Sequence, residues 1–266
     1  MAMYDNENTV RRSFDMNYIS EYLVQAQWAE MVELKKVITE LSDKKQAPLS
    51  ILDIGIGNAR VPKHLSRIKE IWDKISLYDG TDNATACVEM SEQTIQESGI
   101  QDKVTAYYFD AVNLAQWQKQ YDIILTTWFT GGNFYPAHFS FDDYQHQKER
   151  LDLSFNPVFD TIFSAAFQKL NPDGEIILGA CYIDNNFTRQ KQEDSYQKMG
   201  MTIITDPGDT FTATKEGFWS QRFTLNKLIK YFHFVPAENI STILLDTYQY
   251  AMQVRVKKGP ADDNQK

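Results

Sequence analysis

The sequence predicts an α/β fold in which helices flank a mostly parallel sheet, and three observations support that prediction. The stretch Ile51–Arg60, ILDIGIGNAR, has the pattern of a buried strand, a tight glycine turn and a helix start. Strand-like and helix-like patterns then alternate to about residue 183. The chain has 266 residues, 42% of them hydrophobic, which suffices for one large domain with a cap or an insertion.

Composition limits the classes of partner. The net charge of −9 leaves no electrostatic footprint for nucleic acid or an anionic membrane, and would sooner attract a cationic small molecule. No apolar run approaches the ~20 residues of a membrane-spanning helix, and the first ten residues lack a secretion-signal pattern. Cys87 and Cys181 have the surroundings of buried thiols, with a disulfide left open. We therefore expect a cytoplasmic protein of undetermined oligomeric state.

The predicted elements follow in order along the chain. Apolar residues recur at helical spacing over Tyr18–Leu41 and predict a first helix. Asp82 directly follows the second predicted strand, and Asp110 directly follows the third. The strands after the glycine turn are predicted at Ile75–Thr81, Val104–Phe109, Tyr121–Thr127, Glu175–Tyr182, Ile240–Leu245 and Tyr248–Val256, and the helices at Ala84–Ser98, Val112–Lys119, Pro157–Leu170, Asn186–Met199 and Thr224–Phe232.

The glycine turn predicts a ligand site. Gly55 and Gly57 supply positive φ and let a ligand approach bare backbone, while the following helix start presents N–H groups and a positive dipole end. Such a corner binds a nucleotide-like ligand at the carboxyl edge of a parallel sheet. The dinucleotide pattern G-x-G-x-x-G fails because Arg60 stands at its third glycine, which disfavours a nicotinamide cofactor. The alternative is an ordinary turn without a ligand.

An acidic residue at the end of the second strand is suited to hold a ribose, because its oxygens accept from both hydroxyls. Asp82 is the first choice for this role and Asp79 is the alternative.

Four motifs in register resemble those of class I S-adenosylmethionine-dependent methyltransferases. The first is L-D-I-G-x-G-x-G-R, with Ala59 where its last glycine would fall. The resemblance covers residues 50–183 well and the last strands loosely. It implies a Rossmann-like seven-stranded sheet of order 3-2-1-4-5-7-6, with an N-terminal helical lid and an insertion after strand 5. The four motifs are Leu52–Arg60, Gly80–Asp82, Tyr121–Leu125 and Leu170–Leu178.

The resemblance also implies a domain plan. Residues 1–47 are expected to form the helical lid, although packing on the sheet is a compatible alternative. Residues 48–258 are expected to form the methyltransferase domain, with substrate-side insertions at 137–156 and 184–222. Residues 259–266 are polar and are expected to form a flexible tail.

The cofactor that the resemblance implies is S-adenosyl-L-methionine, with no metal. Asp110 would accept from the adenine amino group, with a helix N-cap as the alternative, and Tyr22 is one of the aromatics expected to face the sulfonium. The expected cofactor contacts are Asp53, Gly55, Gly57, Arg60, Asp82, Asp110, Ala111, Thr127 and Tyr22.

The transferred methyl group is expected beside the loop after the fourth strand, whose Gly-Asn-Phe ending is similar to a loop of several amine methyltransferases. Asn133 would hold an amine through its carbonyl oxygen, and His138 is the candidate base for an oxygen acceptor. Trp128 and Phe129 are alternatively core aromatics, and Arg222 either clamps a substrate carboxylate or pairs with a local acid. The expected substrate contacts are Trp128, Phe129, Tyr135, Trp219 and Arg222.

These expectations predict a methyltransferase acting on a small polar molecule at nitrogen. The alternatives are an O-methyltransferase, a peptide or protein methyltransferase, and a catalytically silent cofactor-binding protein.

Overall fold

The structure is a computed structural model, and it describes residue 14 and residues 19–136, 139–148 and 151–260. The helices are α1 (Glu21–Lys45), α2 (Arg60–Ser66), α3 (Lys69–Trp72), α4 (Thr85–Ser98), α5 (Tyr144–Gln147), α6 (Pro157–Gln168), α7 (Asn186–Lys198) and α8 (Leu225–Tyr231). The strands are β1 (Leu49–Ile54), β2 (Ile75–Asp82), β3 (Val104–Tyr108), β4 (Tyr121–Thr126), β5 (Leu170–Ile183), β6 (Phe211–Ala213), β7 (Trp219–Phe223), β8 (Ile240–Leu244) and β9 (Ala251–Lys257).

The main sheet has the predicted order. β3, β2, β1, β4 and β5 are neighbours and parallel, β9 pairs antiparallel with β5, and β8 pairs antiparallel with β9. Counted along the chain, these seven strands have the order 3-2-1-4-5-7-6, which confirms the predicted fold. The insertion adds an antiparallel pair, β6 and β7, and β7 lies parallel to the end of β5.

Helices cover both faces of the sheet, so its central strands are buried on both sides. On one face, Leu34 and Ile38 of α1 belong to the same core cluster as Ile51. On the other, Phe163 of α6 belongs with Leu52. Neighbouring residues of β1 therefore serve opposite cores, as the two-residue period of a strand requires.

The last two strands differ from their predicted bounds because of one side chain. The predicted turn at residues 246–247 is longer, since the carboxylate of Asp246 accepts from the backbone N–H groups of Tyr248, Tyr250 and Ala251. β9 therefore begins at Ala251 rather than Tyr248.

The helix after Asp110 differs from the one predicted over Val112–Lys119. It is a short 3₁₀ helix over Ala111–Gln116.

The N-terminal helix is anchored in the core. It begins at Glu21, capped by Ser20, whereas Tyr18 lies outside the described residues. Its second half is buried against the sheet, so only its first turns are placed to cover a ligand. The lid, the other domain boundaries and the flexible tail stay predictions. Within the described ranges, no helix is long and apolar enough to cross a membrane.

Candidate active site

A cavity of about 600 Å³ opens at the carboxyl edge of the sheet. This volume is in the range of small-molecule sites, about 300–1,000 Å³. The segments that follow β1 to β4 meet there, because carboxyl ends of parallel strands share one edge of a sheet. The predicted site residues in its wall are Gly55, Gly57, Arg60, Asp82, Asp110, Ala111, Thr127, Trp128, Phe129, Asn133 and Tyr135.

The glycine turn has the predicted backbone. Gly55 and Gly57 have φ of +80° and +61°. A Cβ at Gly55 would lie 2.7 Å from Thr130 Cγ2, and one at Gly57 would lie 3.1 Å from the Phe14 ring. Ala59 also has positive φ, +56°, at the position of the motif's missing glycine. The turn thus forms a close-fitting cradle that other residues would strain or fill.

Asp82 and Asp79 have different surroundings, which decides between them. Asp82 lines the cavity at the end of β2, and its two oxygens accept from Gly57 N at 3.1 Å and Ala84 N at 3.0 Å. Burial raises the pKa of this carboxyl group. Asp79 is fully buried outside the cavity wall and accepts from Lys119 Nζ and the Tyr121 hydroxyl. Of the two, only Asp82 can be reached by a ligand in the cavity. Its carboxylate has further lone pairs that could accept from two ribose hydroxyls.

Asp110 caps the short helix after β3 and also lines the cavity. Its Oδ1 accepts from Val112 N at 3.1 Å, which confirms the N-cap interpretation. Asp110 and Ala111 also line the cavity, so a ligand there could contact both residues. The adenine contact stays a prediction.

Two expected cofactor contacts lie outside the cavity wall. Asp53 is completely buried, and the Tyr78 hydroxyl donates to its Oδ2 at 2.7 Å. Burial raises the pKa of Asp53 to about 7, although the Tyr78 hydrogen bond opposes the shift. Tyr22 packs edge-on against Phe187 and Tyr248. We therefore correct both assignments: Asp53 supports the β1 end from within, and Tyr22 anchors α1 to its neighbours.

Two expected substrate contacts are also structural. Trp219 is 2% exposed and stacks on Phe211 with ring centroids 3.9 Å apart. The Arg222 guanidinium is buried and donates to Gln192 Oε1 at 2.6 Å and Thr212 Oγ1 at 2.7 Å. It also faces Asp184 at 3.5 Å, so the alternative of a local acidic partner is the one observed. Neither residue lines the cavity.

The loop after β4 is held in a strained form by a residue that the sequence analysis missed. Trp128 and Phe129 both have positive φ, +54° and +63°, which costs on the order of 1–3 kcal/mol each. Glu30 of α1 accepts from Trp128 N through Oε1 and from Arg60 Nη2 through Oε2, both at 2.9 Å. The Arg60 guanidinium also lies over the Trp128 ring, 5.4 Å from its centroid. Phe129 stacks on Tyr182 with centroids 3.8 Å apart.

Glu30 could have been found from its position in α1. Leu23, Ala26, Leu34, Val37 and Leu41 form the buried stripe of this helix, and Glu30 falls within it at helical spacing. An acidic residue on such a stripe requires a buried partner. Burial raises the pKa of Glu30, and the Arg60 charge opposes the shift.

The insertion supplies part of the cavity wall, but through residues other than Trp219 and Arg222, which the sequence analysis had named. Tyr196, Met199, Met201 and Phe218 line the cavity. His138 lies outside the described residues. Among the residues with a described placement, no group of three or more His, Cys, Asp or Glu side chains could hold a metal ion.

No protein-family model matches the sequence, and a search of curated proteins found no match. Solved structures do match. The plantazolicin methyltransferase BamL, in complex with a triazolic desmethylPZN analog and SAH, shares 14% identity at a TM-score of 0.59, over 96% of this chain and 92% of that one. The fold is that of known methyltransferases.

Two further structures support the same fold. The magnesium protoporphyrin IX methyltransferase (ChlM) from Synechocystis PCC 6803, with bound SAH, shares 14% identity at a TM-score of 0.53, over 91% of this chain and 89% of that one. An O-methyltransferase family protein from Burkholderia thailandensis shares 8% identity at a TM-score of 0.54, over 86% of this chain. The chain spans only 56% of the length of that protein. At such identities the likeness establishes the fold alone.

Proposed function

We propose that this protein is an S-adenosylmethionine-dependent methyltransferase that acts on a small molecule at nitrogen. The observation that carries the proposal is the cavity at the carboxyl edge of the sheet, whose wall combines the glycine cradle with two carboxylates at the ends of β2 and β3. Two of the methyltransferases of similar fold were solved with SAH.

The residues of the wall fit the proposed cofactor. Asp82 offers oxygens for the ribose hydroxyls, and Asp110 offers an acceptor for the adenine amino group. Gly55 and Gly57 give the turn its positive φ and keep it free of side chains beside the cavity, where a Cβ at Gly55 would lie 2.7 Å from Thr130 Cγ2. When bound, the cofactor supplies an activated methyl group on a sulfonium.

The chain's own residues position and enclose the reactants. The loop from Trp128 to Asn133 is fixed by Glu30 and by the stack of Phe129 on Tyr182, so that its side chains form a fixed surface beside the acceptor. Alignment of two reactants by such a surface can supply several kcal/mol of the barrier, and apolar walls exclude water. Aromatic rings of the cavity wall can also contact the sulfonium of a bound cofactor.

The cavity favours nitrogen over oxygen as acceptor. An amine brings its own lone pair, whereas a hydroxyl needs a base. In the described part of the wall, the only carboxylates are Asp82 and Asp110, both on the cofactor side, and burial raises the pKa of the Cys87 thiol so that it stays protonated. Asn133 lines the cavity next to the strained loop, and we assign its side chain the contact to an amine acceptor.

The proposal is tested by turnover. The purified chain is incubated with methyl-labelled S-adenosylmethionine and matched amines and alcohols, and products are identified by mass spectrometry. We expect N-methylated products, with Asn133→Ala lowering kcat more than it weakens cofactor binding. If only hydroxyl groups were methylated, the acceptor atom would be oxygen and the nitrogen assignment would be wrong. Cofactor binding without turnover on any acceptor would favour the silent binding protein.

A further inference from the structure

We propose that the acceptor subsite recognises an uncharged, apolar and preferably aromatic group, so that the acceptor is a weakly basic nitrogen compound rather than an amino acid or a polyamine. This inference rests on the proposed function and specifies its substrate class. It replaces the small polar acceptor that the sequence predicted from net charge.

The two halves of the cavity differ in charge. The charged side chains in its described wall are Arg60, Asp82 and Asp110, which all follow β1, β2 or β3. We call the part bounded by the loop after β4, the end of β5 and the insertion the acceptor half. None of its described side chains carries a charge. They include Phe129, Tyr135, Tyr182, Tyr196, Met199, Met201 and Phe218.

The acceptor half is a packed surface. Tyr196 and Met201 are 3% and 7% exposed and belong to one cluster with Met199 and Phe218. The Tyr196 and Phe218 rings meet edge to face, with centroids 4.8 Å apart. The Tyr182 ring is fixed by its stack on Phe129. Methionine side chains adapt to ligand shape and make favourable contacts with aromatic rings.

The polar groups of Tyr196 and Gln192 next to this surface are already engaged. The Tyr196 hydroxyl accepts from Gln192 Nε2 at 3.2 Å, and Gln192 Oε1 accepts from Arg222 Nη1. Neither Gln192 nor Arg222 lines the cavity. The one arginine that the sequence offered for a substrate carboxylate is therefore committed to the protein's own buried network.

This environment selects the neutral form of a ligand. A carboxylate or ammonium group entering the acceptor half would lose its hydration without meeting an opposite charge. Desolvation also lowers the pKa of an amine, which keeps the nitrogen uncharged and its lone pair available. The same surface that binds the apolar group thus maintains the reactive form of the acceptor.

Matched ligands and variants test this assignment. Turnover is compared for N-methylaniline against 4-(methylamino)benzoate, and calorimetry compares quinoline with quinoline-4-carboxylate on protein saturated with S-adenosylhomocysteine. We expect the uncharged member of each pair to be favoured by at least ~30-fold in kcat/KM or Kd, the equivalent of about 2 kcal/mol. Equal or stronger use of the carboxylates would overturn the proposal, as would a failure of quinoline to bind.

Charge placed in the wall should reverse the preference. Met199 is half-buried, so Met199→Glu and its uncharged control Met199→Gln should both fold. We expect Met199→Glu to bind quinoline about 10-fold more weakly than Met199→Gln does, and to bind a cationic amine such as benzylamine more tightly than Met199→Gln does. Phe218→Glu against Phe218→Gln repeats the comparison at a second position. If the Glu and Gln variants bind quinoline equally at both positions, the proposal is wrong.

The same assays separate this inference from the proposed function. Absence of S-adenosylhomocysteine binding to the wild type contradicts the methyltransferase assignment. In that case, quinoline binding to the protein without cofactor would still support the apolar surface, and its absence would overturn it. Cofactor binding and turnover that favour charged acceptors overturn the inference alone.

Discussion

Glu30 joins three separate segments of the chain through one buried carboxylate. It links α1 to Arg60 in the first turn after the glycine cradle and to the backbone of Trp128 in the strained loop. Neither partner can move without leaving a buried charge or an unpaired N–H group. We infer that Glu30 positions the loop that shapes the acceptor half.

Removing this carboxylate should cost both stability and rate. Glu30→Ala leaves Arg60 and the Trp128 N–H group without their partner, for which we expect a loss of about 3–5 kcal/mol in the free energy of unfolding. Glu30→Gln keeps an acceptor for Trp128 and should cost less. Urea unfolding measures both, and kcat of the folded Gln variant should fall more than its cofactor affinity.

Glu40 on the same helix provides the control. It pairs with Arg255 but its side chain is 59% exposed, so Glu40→Ala should cost at most ~1 kcal/mol. Equal losses in the Glu30 and Glu40 variants would show that Glu30 does not hold the loop.

Asp53 makes stability depend on pH. Its pKa is near 7 in the folded protein and near 3.8 when unfolded, so the folded state holds the proton more tightly. The stabilisation of the fold by this proton is fully present below pH 3.8 and is lost as the pH rises from 3.8 through 7. The total loss in the free energy of unfolding is about 4 kcal/mol. Asp53→Asn should flatten the decline in Tm between pH 5.5 and 8. If Tm of Asp53→Asn declined as steeply as that of the wild type, the pH dependence would come from other groups.

The predicted site residues that lie in the cavity wall include several whose positions are set by strand ends. Asp82, Asp110 and Thr127 follow strands whose carboxyl ends must meet, so their convergence follows from the parallel topology. Arg222 and Glu30 could not be placed in this way. Their partners lie 30 and 98 residues away along the chain, at Gln192 and Trp128, and depend on how the insertion and α1 pack.

At the scale of elements, α1 serves both core and cavity. Leu34, Val37 and Ile38 pack on the sheet, while Leu23 and Gln27 line the cavity. This double role determines what a truncation should do. Removing residues 1–30 would delete Glu30 and the first turns of α1, with loss of folding as the expected result.

A shorter truncation isolates the covering role. Removing residues 1–18 keeps the Ser20 cap and Glu30 but deletes Phe14, whose ring lies against the Gly57 turn. We expect a folded protein that binds S-adenosylhomocysteine several-fold more weakly, as measured by calorimetry and thermal melting. Unchanged affinity would show that residues 1–18 do not contribute to covering the cofactor.

The contact between α1 and β5 depends on a glycine. A Cβ at Gly179 would lie 2.4 Å from Glu30 Oε1 and 3.1 Å from the Thr126 carbonyl oxygen. Gly179→Ala should therefore displace Glu30 and destabilise the protein by about 1–3 kcal/mol. Gly208→Ala is the control, because nothing lies within 4 Å of its added Cβ. Thermal melting compares the two, and similar Tm values would refute the tight contact.

At the scale of the whole molecule, the order of the seven main strands was predictable because the family resemblance carried by the four motifs implied it. The extra β6–β7 pair was not, since its short strands lie in an insertion whose pairing with β5 involves only residues 182–183 and 222–223. The net charge of the protein does not predict the charge of the cavity wall. The protein carries −9 overall, yet the described acceptor half is uncharged, because a local wall need not share the sign of the surface.

The central claim is that the cavity holds S-adenosylmethionine with Asp82 on the ribose. Titration calorimetry of S-adenosylhomocysteine into the wild type, Asp82→Ala, Asp82→Asn and Asp79→Asn tests it most directly. We predict one site in the wild type and a 10- to 150-fold weaker Kd in Asp82→Ala, the equivalent of about 1.5–3 kcal/mol. Asp82→Asn should be intermediate, and Asp79→Asn should lower Tm while its Kd stays near wild type. Absence of binding to the wild type, or unchanged affinity in both Asp82 variants, would contradict the account.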